Sequence, residues 1–463
     1  MTKIKLVLAD INDFTKNYAG ELFDAVLTDC PYELSFMGKS WDKSGVSFNP
    51  ATWEGIRQHL RPGASLLSFG GTRTYHRIAV GIEDGGFEIR DCIGYAWVYG
   101  SGFPKSHDIS KGIDKRLGEE REIVGTRVSA YGTETSTGER VSREKGGAGL
   151  WAGSAPKEVV LTGNPATAAA QTWDGYGTAL KPAWEPIVLA MNPLDGTFAK
   201  NALKHGVAGL NIDATRISHN EEIHVPQSSP ARRKGVVGSD LGFSNNDSNK
   251  FQAAQRKSVQ RTQNLGRWPA NLILEESDEI AGMFPDSNGQ QGDVSGTEPS
   301  SPIKNVYGNY NRVSTEKRGD SGSAVRFFYQ AKSSRRERNA GCLQPNKHPT
   351  LKPIELTKYL ATMILPPYTG RPRRILVPFC GSGSEMIGAM LAGWDEVVGV
   401  DISDINIAGQ RLCWWQKMSQ QLRTNDVQKI LEYAFPEDYQ KDDEPQKSSF
   451  ADLPLFQGKG TRQ

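Results

Sequence analysis

The run RRILVPFCGSGSEMIGAMLAGWDEVVGVDIS, residues 373–403, constrains the fold more than any other part of this chain. It reads as a buried strand, a glycine turn, a helix and a second buried strand ending on an acid. A strand that passes straight into a helix and then into another apolar strand belongs in a parallel sheet. Gly381 and Gly383 let backbone approach a ligand closely, and the first turn of the following helix favours a negative group. Asp401 lies close to the spacing of about 20 residues expected of an acid that binds ribose hydroxyls. The combination suits an adenosine-containing ligand. A lone G-x-G more often only packs a helix on a sheet; the strand, helix and spaced acid together favour the ligand site. A dinucleotide fingerprint needs a third glycine where this chain has Met386, so a pyrophosphate is poorly served. Phe379 beside the turn suits a cation, through a contact of ~0.5–2 kcal/mol.

The rest of the chain alternates in the same way. KIKLVLAD, FDAVLTD and ASLLSFGG read as buried strands and FEIRDCIGYAWVYG as a long strand, with helices at WEGIRQHLRPG, stopped by Pro-Gly, and RTYHRIAVGIEDGG. AWEPIVLAMNPL reads as a further strand, and HPTLKPIELTKYLATMIL and INIAGQRLCWWQKMS as helices. This alternation predicts an α/β fold with a doubly wound, mostly parallel sheet. Long polar stretches interrupt it, and the 37% hydrophobic fraction and mean hydropathy of −0.51 agree with much exposed loop. The boundaries drawn are 1–117, a first half of the core; 118–180, an irregular insert; 181–216, a core strand and connection; 217–325, a polar and basic region; 326–434, the glycine-loop half; and 435–463, a disordered tail.

Net charge is only +2, so bulk charge selects no partner. Five cysteines without a C-x-x-C pair fit reduced thiols rather than a disulfide framework. No apolar run approaches membrane-spanning length, and the N-terminus turns acidic too early for a signal peptide, so a cytoplasmic protein without a membrane partner is expected.

The stretch VLTDCPYELSF, residues 26–36, leaves an apolar strand on Asp29 and then presents Cys30, Pro31 and Tyr32. Ligands of open α/β sheets bind at the carboxyl edge, where Asp29 falls. Pro31 fixes the turn and contributes no N–H. An aromatic amine whose N–H groups bond the Asp29 carboxylate and a turn carbonyl has its lone pair localised on nitrogen, which makes it nucleophilic toward an S-methyl group. Tyr32 would stack on a flipped-out base. Taken alone, D-x-P-Y is an ordinary strand exit, and Cys30 is read as a small packing residue rather than a nucleophile.

These residues resemble the bacterial and phage amino-methylating DNA methyltransferases. DCPY is similar to their (D/N/S)-P-P-(Y/F/W) catalytic motif, PFCGSGS to their F-x-G-x-G cofactor loop, and NKHPTLKPIEL to the H-P-T-x-K-P segment before that loop. The catalytic motif comes first and the cofactor motif last, as in the β group, with target recognition between. The resemblance covers most of the chain to about residue 418. It implies a Rossmann-like methyltransferase fold in permuted order and S-adenosylmethionine as cofactor, with no metal. The substrate it implies is double-stranded DNA, methylated at N6 of adenine or, as the alternative, N4 of cytosine. An acid heading the motif leans toward adenine. It assigns Asp29, Pro31 and Tyr32 to catalysis. To the cofactor it assigns Asp10, His348, Thr350, Lys352, Phe379, Gly381, Gly383 and Asp401. Two positions depart from the pattern: Cys30 stands where proline is usual, and Val377 where an aspartate is usual. Val377 keeps open a DNA-binding protein that retains the fold without activity.

Between the motifs lie Arg232, Arg233, Lys234, Arg256, Lys257, Arg261 and Arg267, interleaved with Asn, Gln and Ser. This composition suits phosphate contacts and base-edge hydrogen bonds; a solvated loop is the alternative. A cognate restriction endonuclease is a partner the resemblance allows. ADLPLFQ, residues 451–457, resembles sliding-clamp-binding peptides, although a stray apolar patch in a tail would look the same.

Overall fold

The computed structural model describes residues 2–34, 40–96, 106–129, 157–180, 183–218, 260–287, 322–331, 335–343, 346, 351–403 and 405–436. Its strands are β1 (Lys3–Leu8), β2 (Phe23–Thr28), β3 (Leu60–Phe69), β4 (Glu88–Ala96), β5 (Ile123–Ser129), β6 (Lys157–Thr162), β7 (Trp184–Met191), β8 (Leu272–Glu275), β9 (Asp286–Ser287), β10 (Gly322–Ser323), β11 (Tyr329–Ala331), β12 (Arg374–Pro378) and β13 (Glu396–Asp401). Nine of these form one sheet in the order β1-β13-β12-β2-β3-β7-β4-β8-β11. Every neighbouring pair is parallel except those made by β7, which runs antiparallel to both β3 and β4. Helices cover both faces. One face buries Leu356, Leu360, Met386, Ile387 and Trp415 against the sheet, the other Trp53, Ile56, Ile78 and Ile82. The doubly wound, Rossmann-like sheet expected from the alternation is therefore observed. Its order is permuted, with the late strands β12 and β13 lying between β1 and β2.

The residues explain the placement. β2 is buried along its whole length and β12 nearly so, as central parallel strands must be. β1 is not the fully buried strand expected: it lies at the sheet edge and turns Lys3, Lys5 and Leu8 to solvent. Lysines on an edge strand discourage pairing with another chain. A second expectation also changes. The Pro-Gly pair does not stop a helix; the helix Pro50–Arg57 ends earlier, and Pro62 and Gly63 lie inside β3. The register between β2 and β3 shifts there, and Gly63 at φ 77° donates its N–H to the Asn192 carbonyl at 2.9 Å.

The 118–180 segment, expected to be irregular, holds ordered structure. β5 and β6 pair antiparallel, and the helix Ala168–Thr172 packs on the helix Ile109–Leu117. Asp114 ties the unit together, accepting from the backbone of Ala166 and Thr167 at 3.1 Å and from Arg121 Nε at 2.6 Å.

The glycine loop rests on a tight helix pair. The helices Ile354–Met363 and Ser384–Ala392 approach so closely at Gly388 that an added Cβ would lie 2.6 Å from the Lys358 backbone nitrogen. Backbone cannot yield as a side chain can. Gly388→Ala should therefore destabilise the protein by about 1–3 kcal/mol, although alanine is the better helix former. Denaturant unfolding measures this, and a stabilised variant would contradict the packing described.

Candidate functional site

The parallel strands β1, β13, β12, β2 and β3 end at one edge of the sheet, and the motif residues follow them there. Ala9 N–H donates to the Asp401 carbonyl at 2.9 Å, Cys380 N–H to Val400 at 3.1 Å, and Thr28 Oγ1 to the Pro378 carbonyl at 2.8 Å. The last bond joins the strand leading into Asp29 to the strand leading into the glycine loop, 350 positions later in the chain.

On the β12 side, Phe379, Gly381 and Gly383 all have left-handed backbone, at φ 56°, 46° and 81°. For phenylalanine this conformation is costly, by about 1–2 kcal/mol. Asp401 accepts the Gly381 N–H at 2.7 Å and the Ser403 N–H at 2.8 Å, so the acid holds the loop's shape as well as facing the edge. Asp10 caps the helix Ile11–Asn17, accepting the Asn12 N–H at 2.8 Å. Arg411, fully buried, donates to the Ser382 carbonyl at 2.8 Å and to Ser384 Oγ at 3.1 Å, and reaches the Glu337 carbonyl at 3.1 Å. Burial lowers its pKa. A cation that braces the loop from behind was not singled out from the sequence; an arginine in an otherwise apolar helix face was the available signal.

On the β2 side, four ionisable side chains converge. Lys352 Nζ lies 3.1 Å from Asp29 Oδ1, 3.0 Å from Glu185 Oε1 and 2.9 Å from the Tyr32 hydroxyl. The Tyr32 hydroxyl donates to Asp29 Oδ1 at 2.8 Å and makes a shorter contact with Glu185 Oε1. Lys352 Nζ also sits 4.8 Å from the centre of the Phe69 ring. Burial alone would lower the Lys352 pKa, but the Asp29 and Glu185 carboxylates outweigh it and hold the ammonium charged. Burial pushes Glu185 up, and Asp29 adds to the rise against Lys352. Burial and both carboxylates raise Tyr32 far above the usual phenol range, so it stays protonated. Asp29 Oδ1 is thus anchored, while Oδ2 carries no hydrogen bond among the described residues.

Glu185 is the residue the sequence reading missed. It is the one acid in the apolar strand β7, and a lone carboxylate in a buried strand signals a partner. Because β7 is antiparallel, its N-terminal end arrives at the same edge as the C-terminal ends of its neighbours: Ile187 pairs with Phe69, and Gly70 N–H donates to the Pro186 carbonyl at 2.9 Å. Lys352, which the resemblance assigns to the cofactor, lies against Asp29 and Glu185.

Of the basic residues between the motifs, Arg267 is turned inward. It is nine-tenths buried, lies 5.1 Å from the Phe327 ring centre and pairs through its backbone with Ile217, so it presents no free charge to a phosphate. Arg261 is exposed and paired with Asp213. Arg232, Arg233, Lys234, Arg256 and Lys257, like His348, Thr350 and the 451–457 peptide, lie outside the described residues. No described helix is long and apolar enough to cross a membrane.

No family model and no curated protein matches the chain. Several solved structures do. M1.HpyAVI is 11% identical over 88% of this chain and 98% of its own, with a TM-score of 0.34. TTHA0409 of Thermus thermophilus, complexed with S-adenosyl-L-methionine, is 10% identical over 90% and 94%, at 0.34. The cytosine-N4-specific PvuII DNA methyltransferase is 9% identical over 93% and 94%, at 0.39.

Cys30 behaves as packing. It is buried against Ser68 at 3.4 Å, and burial pushes its thiol up to about 12. In the folded protein at pH 8, iodoacetamide should modify the exposed Cys413 and leave Cys30 and Cys380 untouched. Peptide mass spectrometry checks this, and rapid alkylation of Cys30 would restore it as a nucleophile candidate.

Proposed function

We propose that this chain is a DNA methyltransferase that moves a methyl group from S-adenosylmethionine to an exocyclic base amine, N6 of adenine before N4 of cytosine. The observation that carries this reading is the adjacency of β2 and β12, which sets the Asp29 corner beside the glycine loop. The resident groups fit the cofactor. The left-handed loop leaves backbone open to close approach, the helix Ser384–Ala392 starts without a side-chain cap, and Asp401 and Asp10 stand at the neighbouring strand ends. Bound there, S-adenosylmethionine supplies an electrophilic methyl group on a sulfonium.

The chain's own residues prepare the amine. Lys352 and Tyr32 hold Asp29 through Oδ1, which aims Oδ2 outward as a charged acceptor. An amine N–H bonded to Oδ2 has its lone pair drawn out of the ring and onto nitrogen. A main-chain carbonyl of the turn, Cys30 or Pro31, would be the second amine acceptor; that of Pro31 also accepts Ser47 Oγ at 2.5 Å. Glu185 shares the Lys352 ammonium with Asp29, so the second Asp29 oxygen is not taken up by the lysine. Tyr32, fixed through its hydroxyl, presents its ring to the flipped base. The basic residues between the motifs would contact phosphates, with Arg267 excluded by its burial. A cognate endonuclease and a clamp-binding tail remain readings of the sequence.

Asp29→Ala should abolish methyl transfer, by at least about 100-fold, while S-adenosylmethionine still binds. Modification-sensitive sequencing of DNA from expressing cells reads base, atom and site together. Retained turnover in the alanine variant would refute the assignment of Asp29. DNA affinity should fall steeply with salt, and an unchanged affinity between 50 and 200 mM would remove the phosphate-contact role.

A further inference from the structure

Glu385 stands in the first turn of the helix Ser384–Ala392, directly after the glycine loop, and is only 5% exposed. Its carboxylate accepts from its own backbone N–H, and no hydrogen bond or ion pair joins it to another described residue. A carboxylate held this way in a dry place is costly unless a cation joins it. The charged groups around it are Asp29, Lys352 and Arg411, contributed by the β2 corner, the segment before the helix Ile354–Met363 and the helix Asn406–Leu422. None of them forms an ion pair with it: Lys352 is shared by Asp29 and Glu185, and Arg411 bonds the Ser382 and Glu337 carbonyls, so both cations act on Glu385 only from a distance and do not offset its burial. The one charged residue of β12, Arg374, is paired with Glu396, and Val377 before the loop carries no charge.

We propose that Glu385 is the counter-ion for the α-ammonium group of the bound cofactor, an inference that rests on the S-adenosylmethionine reading above. That cofactor carries two cations. The sulfonium loses its charge as the methyl leaves, so a carboxylate pressed against it would stabilise the ground state more than the transition state and slow the reaction. The ammonium keeps its charge throughout, and a carboxylate beside it anchors the amino-acid end without that penalty. The N-terminal position contributes too: the helix start tolerates the carboxylate until the ligand arrives. Burial, and then the Asp29 charge, raise the Glu385 pKa to about 7. The unliganded protein therefore carries this group partly protonated, and the ammonium displaces that proton on binding.

Calorimetric titration of the full-length protein tests this with three ligands: S-adenosylmethionine, S-adenosylhomocysteine, and 5′-methylthioadenosine, which lacks the amino-acid end. Glu385→Gln, nearly isosteric, should weaken the first two equally, by about tenfold at pH 7.5, and leave the third unchanged. In the unsubstituted protein, affinity for S-adenosylmethionine should rise from pH 6 to 7.5, as Glu385 gives up its proton, while that for methylthioadenosine stays flat. The glutamine variant should lose this slope, because Asp29, Lys352 and Arg411 remain in it. Equal affinity of variant and parent overturns the inference and leaves the function standing. A loss confined to S-adenosylmethionine overturns it by assigning Glu385 to the sulfonium. Failure of the parent to bind S-adenosylmethionine removes the functional reading, and this one with it. If the variant does not fold, the pH comparison of the two ligands on the parent decides alone.

Discussion

The parallel pairing of β2 with β12 is the constraint on which the site depends. It joins residues from opposite ends of the chain, and the Thr28 hydroxyl bond to the Pro378 carbonyl locks the two strand ends at the same height. Because parallel strands finish at one edge, that single pairing delivers Asp29 and Phe379 side by side. The flanking strands then complete the edge: β13 brings Asp401, β1 brings Asp10, and β3 brings Phe69. A slip of one residue would turn alternate side chains to the opposite face and dissolve the arrangement. Strands this apolar resist such a slip, because it would also change which residues each face buries.

The second organising feature is electrostatic. Removing a lysine and two carboxylates from water is expensive, and one partner alone in that place would be worse than none. The cluster persists because each charge is answered. Lys352 bridges Asp29 and Glu185, and Tyr32 supplies the hydrogen bond that the ammonium does not. The result is a fixed carboxylate with one oxygen committed and one oxygen free. Glu385 is the counter-example in the same neighbourhood, a buried acid that no ion pair from a described residue meets. The contrast is between an acid held in an ion pair and a buried acid without one.

Much of this edge could be read locally. Asp29, Asp10 and Asp401 end apolar strands, and the glycine loop sits between a strand and a helix; such junctions are written in consecutive residues. The same grammar erred where neighbours in space decide. β1 has the composition of a buried strand yet lies at the sheet edge, because the permuted order leaves nothing beyond it. Pro62 and Gly63 look like a helix stop yet enter β3, because a register shift opposite makes room for them. Arg267 belongs to a basic stretch yet packs on Phe327, because its backbone pairs with Ile217 and carries the side chain inward.

The sequence by itself determined the alternation of strands and helices, the doubly wound class, and the residues that leave strands at a ligand-binding edge. These follow from periodicity and turn chemistry, which act over a few neighbouring positions. Only the tertiary structure decided that Glu185 would meet Lys352, that Arg411 would brace the glycine loop and that Glu385 would be buried without an ion pair to another described residue. Those outcomes depend on strand direction and helix contact between segments separated in sequence, by 167 positions for Glu185 and Lys352 and by 29 for Arg411 and Ser382. Charge in a protein interior is settled by what lies within a few ångströms in space, and no local pattern records that.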